Sequence, residues 1–411
     1  MNARFLPKIA LWLLIMAGLF TAAACQPSAD ESSEPTPDAF ATAYAQLTSE
    51  AATAAPHSPP ATETPPMPPL ATPTAETSPT TLIPAGLWRG FIALMDGRFV
   101  AFDFEGNRLG FEADISGVEG VGAYNTTVFR DGLAYSRFED GTVTVITSAG
   151  RRTLDFIRSE NPISASISPD GSRIAWSYQF WGENAPSSEL WIANLDGSDA
   201  RKVDEIGEEE NRERWLILHP YRWQPDGKLL YATQPTGIGG YILYGNWNGM
   251  RLYDPASGSI TVLVSDDERL GLSLSSISND LSMASINGDG IRVRRLGSRV
   301  EVLLPPTSGL TTCGDGRFSP SDQWLAYACG RNNPEDEAGQ VLLAPVDGSL
   351  SPQVLFNDSA NAPHVMGWVD EDTIVIQTNS RFESAGEIWR VQRDGTRLTR
   401  LTEGIFIGFV P

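Results

Sequence analysis

Two short strands joined by a glycine turn recur seven times in the C-terminal part of this 411-residue sequence. One copy, GQVLLAPVDGSLSPQVLF at residues 339–356, shows the pattern: apolar residues alternate on both sides of a turn that contains glycine. The turn glycines are separated by 39 to 61 residues, mostly near 47; they are Gly106, Gly150, Gly197, Gly258, Gly297, Gly348 and Gly395. A repeat of this length constrains the fold more than any single motif, because each copy must bury its apolar face against the next one.

A second hairpin precedes most copies and turns at an Asp-Gly pair. SPDGSRIAW and QPDGKLLYA are its clearest examples, and their turn residues are Asp170 with Gly171 and Asp226 with Gly227. The two hairpins together make four antiparallel strands in about 40 to 50 residues, without helical periodicity. This combination predicts an all-β fold: a seven-bladed β-propeller over residues 86–411, with six or eight blades as alternative counts. Two packed sandwich domains are a further alternative.

The succession SPDG, IAW and LWIANLDG, between residues 168 and 197, resembles the WD40-like repeat of the TolB C-terminal β-propeller and its relatives. The resemblance covers about residues 86–411 and implies the propeller fold. It says little about function, because this fold carries many functions. TolB itself has six blades behind an N-terminal α/β domain, and the sequence departs from both features.

Residues 1–24 have the pattern of a bacterial lipoprotein signal peptide. Arg4 and Lys8 precede an apolar run that is too short to span a bilayer, and the small residues of TAAAC lead directly to Cys25. We expect Cys25 to be acylated, so that the exported chain is tied by lipid to the cell membrane or the outer membrane. An ordinary secretory signal cut near Ala24 is the alternative.

Residues 25–85 are predicted to form a disordered linker. They hold 13 of the 29 prolines, no lysine and no arginine, and too few apolar residues for a core. At about 3.1 Å per residue, some sixty residues of proline-rich chain reach up to roughly 180 Å from the membrane. The extracytoplasmic propeller region carries a formal charge of −16, out of −21 for the whole chain. Because such a surface repels nucleic acid and anionic lipid, neither is expected as a partner.

The ends of the repeat region predict how the ring of blades closes. The first unit lacks an innermost strand, whereas the last residues of the chain, GIFIGFVP, form an extra strand after the seventh unit. We therefore predict that the C-terminus supplies the missing strand, since an open ring would leave unpaired strand edges.

Two cysteines, Cys313 and Cys329, fall within one repeat unit. A hairpin turn centred on Ser321 puts them opposite each other, which fits a cross-strand disulfide in an exported protein. Buried free thiols are the alternative. Closure of a loop of about 15 residues would contribute roughly 3 kcal/mol to stability.

Catalytic motifs are missing from the sequence. It contains no GxSxG, no P-loop, no HExxH and no cysteine or histidine spacing typical of zinc. Only His219 and His364 fall in the propeller region, each four residues before a tryptophan at the start of an innermost strand. Two channel histidines could bind a metal or act as acid and base, whereas the alternative is that both cap a turn. We expect no metal, no cofactor and no catalytic residue, which favours a protein that is not an enzyme.

The longest predicted loops share one face of the propeller and belong mainly to the third and fourth units. Trp181, Tyr241, Tyr244 and Trp247 lie in these loops and form the candidate binding face, because such aromatic residues are common in protein hot spots and sugar sites. The alternative is that they pack inside their own loops.

The functional hypothesis that these features favour is a non-enzymatic protein-interaction module of the cell envelope. Two alternatives stay open: a glycan or peptidoglycan binder that uses the aromatic loops, and a lyase or hydrolase that uses His219 and His364.

Overall fold

The computed structural model describes residues 89–411 except 138–139, 162, 237–242, 246, 267–273, 308, 334–335 and 379–384. The predicted signal peptide, Cys25, the linker and Tyr241 lie outside the described residues. Within these residues, no helix has the length and apolar character required to cross a membrane.

Twenty-seven antiparallel strands make up the described part of the chain. One seven-stranded sheet joins the two ends of the domain in the order β24 (Pro363–Trp368), β25 (Thr373–Thr378), β26 (Gly386–Gln392), β27 (Thr399–Val410), β1 (Gly90–Met95), β2 (Arg98–Phe102) and β3 (Arg108–Asp114). The others are four-stranded: β4 (Thr126–Phe129), β5 (Gly132–Ser136), β6 (Val143–Thr147) and β7 (Gly150–Thr153); β8 (Ile163–Ile167), β9 (Arg173–Trp181), β10 (Pro186–Asn194) and β11 (Arg201–Ile206); β12 (Leu216–Trp223), β13 (Leu229–Pro235), β14 (Gly249–Asp254) and β15 (Ser259–Val264); β16 (Leu274–Ile277), β17 (Met283–Ile286), β18 (Ile291–Arg295) and β19 (Glu301–Leu304); β20 (Thr312–Phe318), β21 (Trp324–Gly330), β22 (Gly339–Pro345) and β23 (Gln353–Asp358).

Within the residues that the structure describes, two short helices interrupt the strand pattern. A 3-10 turn covers Ala123–Asn125 before β4, and α1 covers Glu208–Asn211 between β11 and β12. The predicted all-β fold is therefore confirmed, and the sheets are those of a β-propeller. The number of seven blades stays a prediction, because it depends on counting β27 in two blades.

The turns of this fold lie where the repeats place them. Each of the seven predicted glycines sits in a hairpin between two antiparallel strands and has a positive φ, between 67° and 124°. A residue with a Cβ is strained in that region, which is why glycine recurs there. Asp170 and Asp226 lie in the turns that lead to β9 and β13, and each accepts a hydrogen bond from the backbone N–H two residues later.

The C-terminal strand closes the domain, as predicted. The first half of β27 pairs with β26, and the second half pairs with β1, with Gly90 opposite Val410. Phe406 packs 5.8 Å from Phe91 between ring centroids, so apolar contacts as well as backbone hydrogen bonds hold the junction.

The hydrophobic core consists of layers between adjacent sheets. One cluster contains Ala134 and Val145 of one sheet together with Ile174 and Trp176 of the next. The first strands of consecutive sheets also meet around the centre of the domain, where β8 contacts both β4 and β12 and β20 contacts both β16 and β24. Two tryptophans connect these first strands, since Trp223 donates its indole N–H to the carbonyl of Ser166 and Trp368 donates to that of Arg317.

A disulfide joins Cys313 and Cys329, which are directly opposed in β20 and β21. The turn alone would not place them so, because it puts Phe318 opposite Leu325 and would leave Cys313 opposite Gly330. A β-bulge at residues 315 and 316 shifts the pairing by one residue and brings the two cysteines together. The sequence argument reached the correct pair without knowledge of the bulge.

Candidate functional site

A cavity of about 630 Å³ lies among the first strands. Its wall is formed by residues of β4, β8, β12 and β20, by the 3-10 turn before β4, by single residues of β5, β9, β13 and β16, and by the segment that leads into β14. The volume falls in the range of about 300–1,000 Å³ that is typical of pockets for small molecules. This cavity is the candidate functional site.

His219 is one of the cavity residues and comes from the middle of β12. Its ring lies 4.8 Å from the ring of Trp247, and its Nδ1 is buried with no hydrogen-bond partner among the described residues, while part of the ring is open to the cavity. Burial lowers the pKa of His219 to about 4, because the charged imidazolium is poorly solvated there. The side chain is therefore neutral near pH 7.

His364 occupies a different environment, although it also lies on a first strand, β24. Its side chain is only 1% exposed, its Nδ1 is 2.6 Å from Oδ2 of Asp315, and the ring of Tyr244 packs edge-on at 5.5 Å. Asp315 reaches the cavity wall, whereas His364 does not. The prediction of a channel histidine is thus corrected for His364, because Tyr244 and Asp315 cover its ring.

The two histidines are not brought together by the fold. The first strands β16 and β20 stand between β12 and β24 in the order of sheets. The strand next to His219, β8, has the sequence ISASI and offers no counterpart of Asp315. Within the described ranges, moreover, no group of three His, Cys, Asp or Glu residues could hold a metal ion.

The predicted binding face divides into exposed and buried residues. Trp181 is 53% exposed, whereas Trp247 is half-buried on the cavity wall. Tyr244 is only 2% exposed, which corrects its assignment as a surface anchor. The reason is its contact with β20: a Cβ on Gly314 would stand 2.4 Å from the Cβ of Tyr244, so the glycine lets the loop pack directly on the sheet.

Three aromatic side chains are exposed among the described residues: one lies on the cavity wall, and the other two directly follow a wall residue. Tyr124 is 45% exposed and forms part of the cavity wall. Phe180 and Trp181, at 42% and 53%, directly follow Gln179, which also lies on the wall. We call Tyr124, Phe180 and Trp181 the aromatic rim.

The β9–β10 hairpin carries two members of this rim next to its turn. Each of its strands has nine residues, and they stay paired up to Trp181 opposite Pro186. The tip is tied to α1, because a carboxylate oxygen of Glu208 accepts hydrogen bonds of 3.0 Å from both the backbone N–H and the side-chain amide of Asn184. These bonds also lower the pKa of Glu208. The acidic run in this segment therefore fixes the hairpin tip through Glu208.

Sequence reasoning missed several residues of the site. Tyr124 lies in a connection that the repeat pattern leaves undefined, and Gln179 belongs to a predicted long loop in which only Trp181 is a candidate binding residue. Asp315 did give a signal, because an acidic residue inside a predicted buried strand needs a partner. That partner, His364, lies 49 residues further along the chain.

The chain resembles known proteins in fold but matches no known family by sequence. No family model matches the chain, and no curated protein matches it. Among solved structures it is similar to TolB from Acinetobacter baumannii, with 15% identity over 78% of this chain and 82% of that chain and a TM-score of 0.40.

Two peptidases are similar as well. A puromycin-hydrolysing peptidase of Mycobacterium tuberculosis has 12% identity, a TM-score of 0.47, and coverage of 78% of this chain and 56% of that one. An acylaminoacyl peptidase has 12% identity, a TM-score of 0.43, and coverage of 74% and 48%. The chain thus spans about half the length of either peptidase, and at these identities the similarity concerns the fold alone.

Acid is expected to destabilise the protein through His219. Its pKa is about 4 in the folded chain against 6.5 for an unperturbed histidine, so the unfolded chain binds more protons between these values. The free energy of unfolding should therefore fall as the pH drops from 6.5 towards 4. A full shift corresponds to about 3 kcal/mol, and we expect about 2 kcal/mol because part of the ring is open to the cavity.

Urea unfolding of the wild type and of His219→Gln at pH 7 and pH 4.5 checks this expectation. Other groups titrate equally in both chains, so the difference between their pH dependences isolates His219. Identical pH dependences would show that His219 is not held neutral by the fold.

Proposed function

We propose that this protein is a non-enzymatic interaction module of the cell envelope, held to the membrane through an acylated Cys25 and a long linker. The observation that carries the proposal is the aromatic rim: Tyr124 lies on the cavity wall, Phe180 and Trp181 directly follow the wall residue Gln179, and these three are the exposed aromatic residues of the described chain. Exposed tryptophan and tyrosine beside a concave surface are the usual composition of hot spots for protein partners.

The arrangement of the rim supports binding of a partner in a defined orientation. The β9–β10 hairpin is stiffened by paired strands and by the bonds from Asn184 to Glu208, so little side-chain and loop entropy is lost when a partner docks. A channel enzyme that uses both histidines is not proposed, because only His219 reaches the cavity.

Site-specific photocrosslinking in the intact cell tests this function. A benzoylphenylalanine residue in place of Trp181 is expected to give one discrete protein adduct on irradiation, in an amount that falls at least about tenfold when Tyr124 and Phe180 are also changed to alanine. The matched control carries the same photoreactive residue at Leu350, which is 62% exposed in the β22–β23 turn. The β22–β23 turn joins the third and fourth strands of its sheet, whereas the β9–β10 turn joins the second and third strands of its own sheet. In antiparallel sheets these two kinds of turn lie at opposite ends of the strands.

The control decides the outcome. An adduct at position 181 and none at position 350 supports a protein partner on the aromatic rim. No adduct at 181, or the same adduct at both positions, would contradict the proposal.

A further inference from the structure

We infer that the cavity beneath the aromatic rim is a binding site for an uncharged saccharide. This site shares Tyr124 with the protein-binding surface proposed above, but its other residues lie outside the aromatic rim, and the inference does not depend on that proposal. It rests on the chemistry of the cavity wall, which combines an aromatic platform with neutral polar groups.

The aromatic platform is Trp247. Its indole packs against His219 at 4.8 Å and against Tyr221 at 5.4 Å, and the ring remains half-buried on the cavity wall. Its backbone is anchored to Leu274 by two hydrogen bonds of 3.0 and 3.1 Å. A pyranose ring has an apolar face of C–H groups, and a fixed aromatic ring whose face is electron-rich is a suitable surface for it.

Side-chain amides and hydroxyls surround this platform. Gln179 and Gln234 come from the ends of β9 and β13 in neighbouring sheets, and Ser164 comes from β8. None of these three side chains donates or accepts a hydrogen bond with another described residue, although all three line the cavity. A hydroxyl group both donates and accepts hydrogen bonds. The hydroxyl groups of a saccharide can therefore pair with the carbonyl oxygen of a side-chain amide as well as with its NH₂ group.

The charges on the wall favour a neutral ligand. His219 is neutral, and the carboxylate of Asp315 already contacts His364, with 2.6 Å between Oδ2 of Asp315 and Nδ1 of His364. Arg317 is the one cation among the residues of the wall, and its guanidinium makes a single long contact of 3.5 Å to a backbone carbonyl. An anionic ligand would meet Asp315 as well as Arg317, so a single cation gives it little net attraction.

A peptide fits this wall less well than a saccharide does. The aliphatic side chains of the wall are Ala123, Ile163, Ala165 and Pro220, which leaves few apolar pockets for peptide side chains. Peptide recognition along an extended chain relies on such pockets for alternate residues. Hydroxyl-rich ligands need few of them, since their specificity comes from hydrogen bonds.

Isothermal titration calorimetry of the intact chain with chitotriose and with maltotriose tests the inference. At least one of them is expected to bind saturably with a dissociation constant of about 1 mM or tighter. Trp247→Leu should weaken that binding at least about tenfold, and Gln234→Ala should weaken it by several-fold. Leu350→Ala serves as the control: it removes an exposed apolar side chain outside the cavity wall and the aromatic rim, and it should leave saccharide binding unchanged.

Two further probes separate the ligand classes, N-acetylneuraminic acid for acidic sugars and N-acetyl-trialanine amide for peptides. Tighter binding of either one than of the neutral saccharides would overturn the inference. So would the lack of saturable binding by both neutral trisaccharides, or binding that Trp247→Leu and Gln234→Ala leave intact. Thermal unfolding verifies that each variant is folded, and crosslinking at position 181 shows separately whether the protein partner is retained.

Discussion

Removal of residues 404–411 is expected to abolish cooperative unfolding of the propeller. The deletion takes away the half of β27 that pairs with β1, and with it the buried side chains of Ile405, Phe406 and Ile407. Large apolar side chains contribute about 2–5 kcal/mol each when they are removed from a core, so their sum approaches or exceeds the total stability of about 5–15 kcal/mol typical of a folded protein. The truncated chain should also expose the edge of β1 and aggregate.

Thermal unfolding followed by circular dichroism and tryptophan fluorescence measures this effect. A milder test at the same junction is Gly404→Ala: Gly404 has φ +147°, and a Cβ there would stand 2.9 Å from the carbonyl oxygen of Leu94. We expect this variant to lose about 1–3 kcal/mol. Gly207→Ala is the control, because a Cβ at Gly207 meets nothing within 4 Å. An unchanged melting transition after truncation would refute closure by the C-terminus.

Replacement of Asp315 by alanine is expected to lower the free energy of unfolding by about 2–4 kcal/mol. The change leaves His364 buried without the carboxylate 2.6 Å from its Nδ1, and a buried polar group that loses its partner retains its desolvation penalty. The same side chain is part of the cavity wall, so this pair links the stability of the first strands to the shape of the candidate site.

Backbone strain has to be separated from the loss of the pair, because Asp315 has a positive φ of 53°. Asp96→Ala provides the match: Asp96 has φ 49°, is exposed, and makes no hydrogen bond with its side chain to another described residue. Urea unfolding of both variants gives the contribution of the pair by difference. Equal losses in the two variants would mean that the Asp315 and His364 contact contributes nothing to stability.

Much of the fold could be predicted from the sequence, because its determinants are local. A glycine that must adopt a positive φ marks each hairpin turn, and alternating apolar residues mark the strands on either side of it. The repeat pattern leaves one extra strand at the C-terminus and one missing strand in the first unit. Together these two features predict that the C-terminal strand pairs with the first unit. The β-bulge at residues 315–316 could not be predicted in this way, since an extra residue leaves no periodic signal and shows only in the register.

Less of the candidate site than of the fold could be predicted from the sequence. The sequence identified Trp181, Trp247 and His219 as residues of interest, and the structure places the last two in contact. It could not separate Trp181 from Tyr244, because both fall in predicted long loops of neighbouring units. One is 53% exposed and the other 2%, because Gly314 on a distant strand allows the Tyr244 loop to approach.

The sequence by itself determined the repeated hairpins, the positions of their turns and the closure by the last strand, since these depend on backbone conformation and on the period of apolar residues. Only the tertiary structure decided which polar and aromatic side chains face the cavity. Two histidines at corresponding positions differ in this respect, because Asp315 from the preceding sheet covers one and the strand ISASI leaves the other open. Burial depends on what the neighbouring sheet contributes, and that neighbour is set by packing across the propeller.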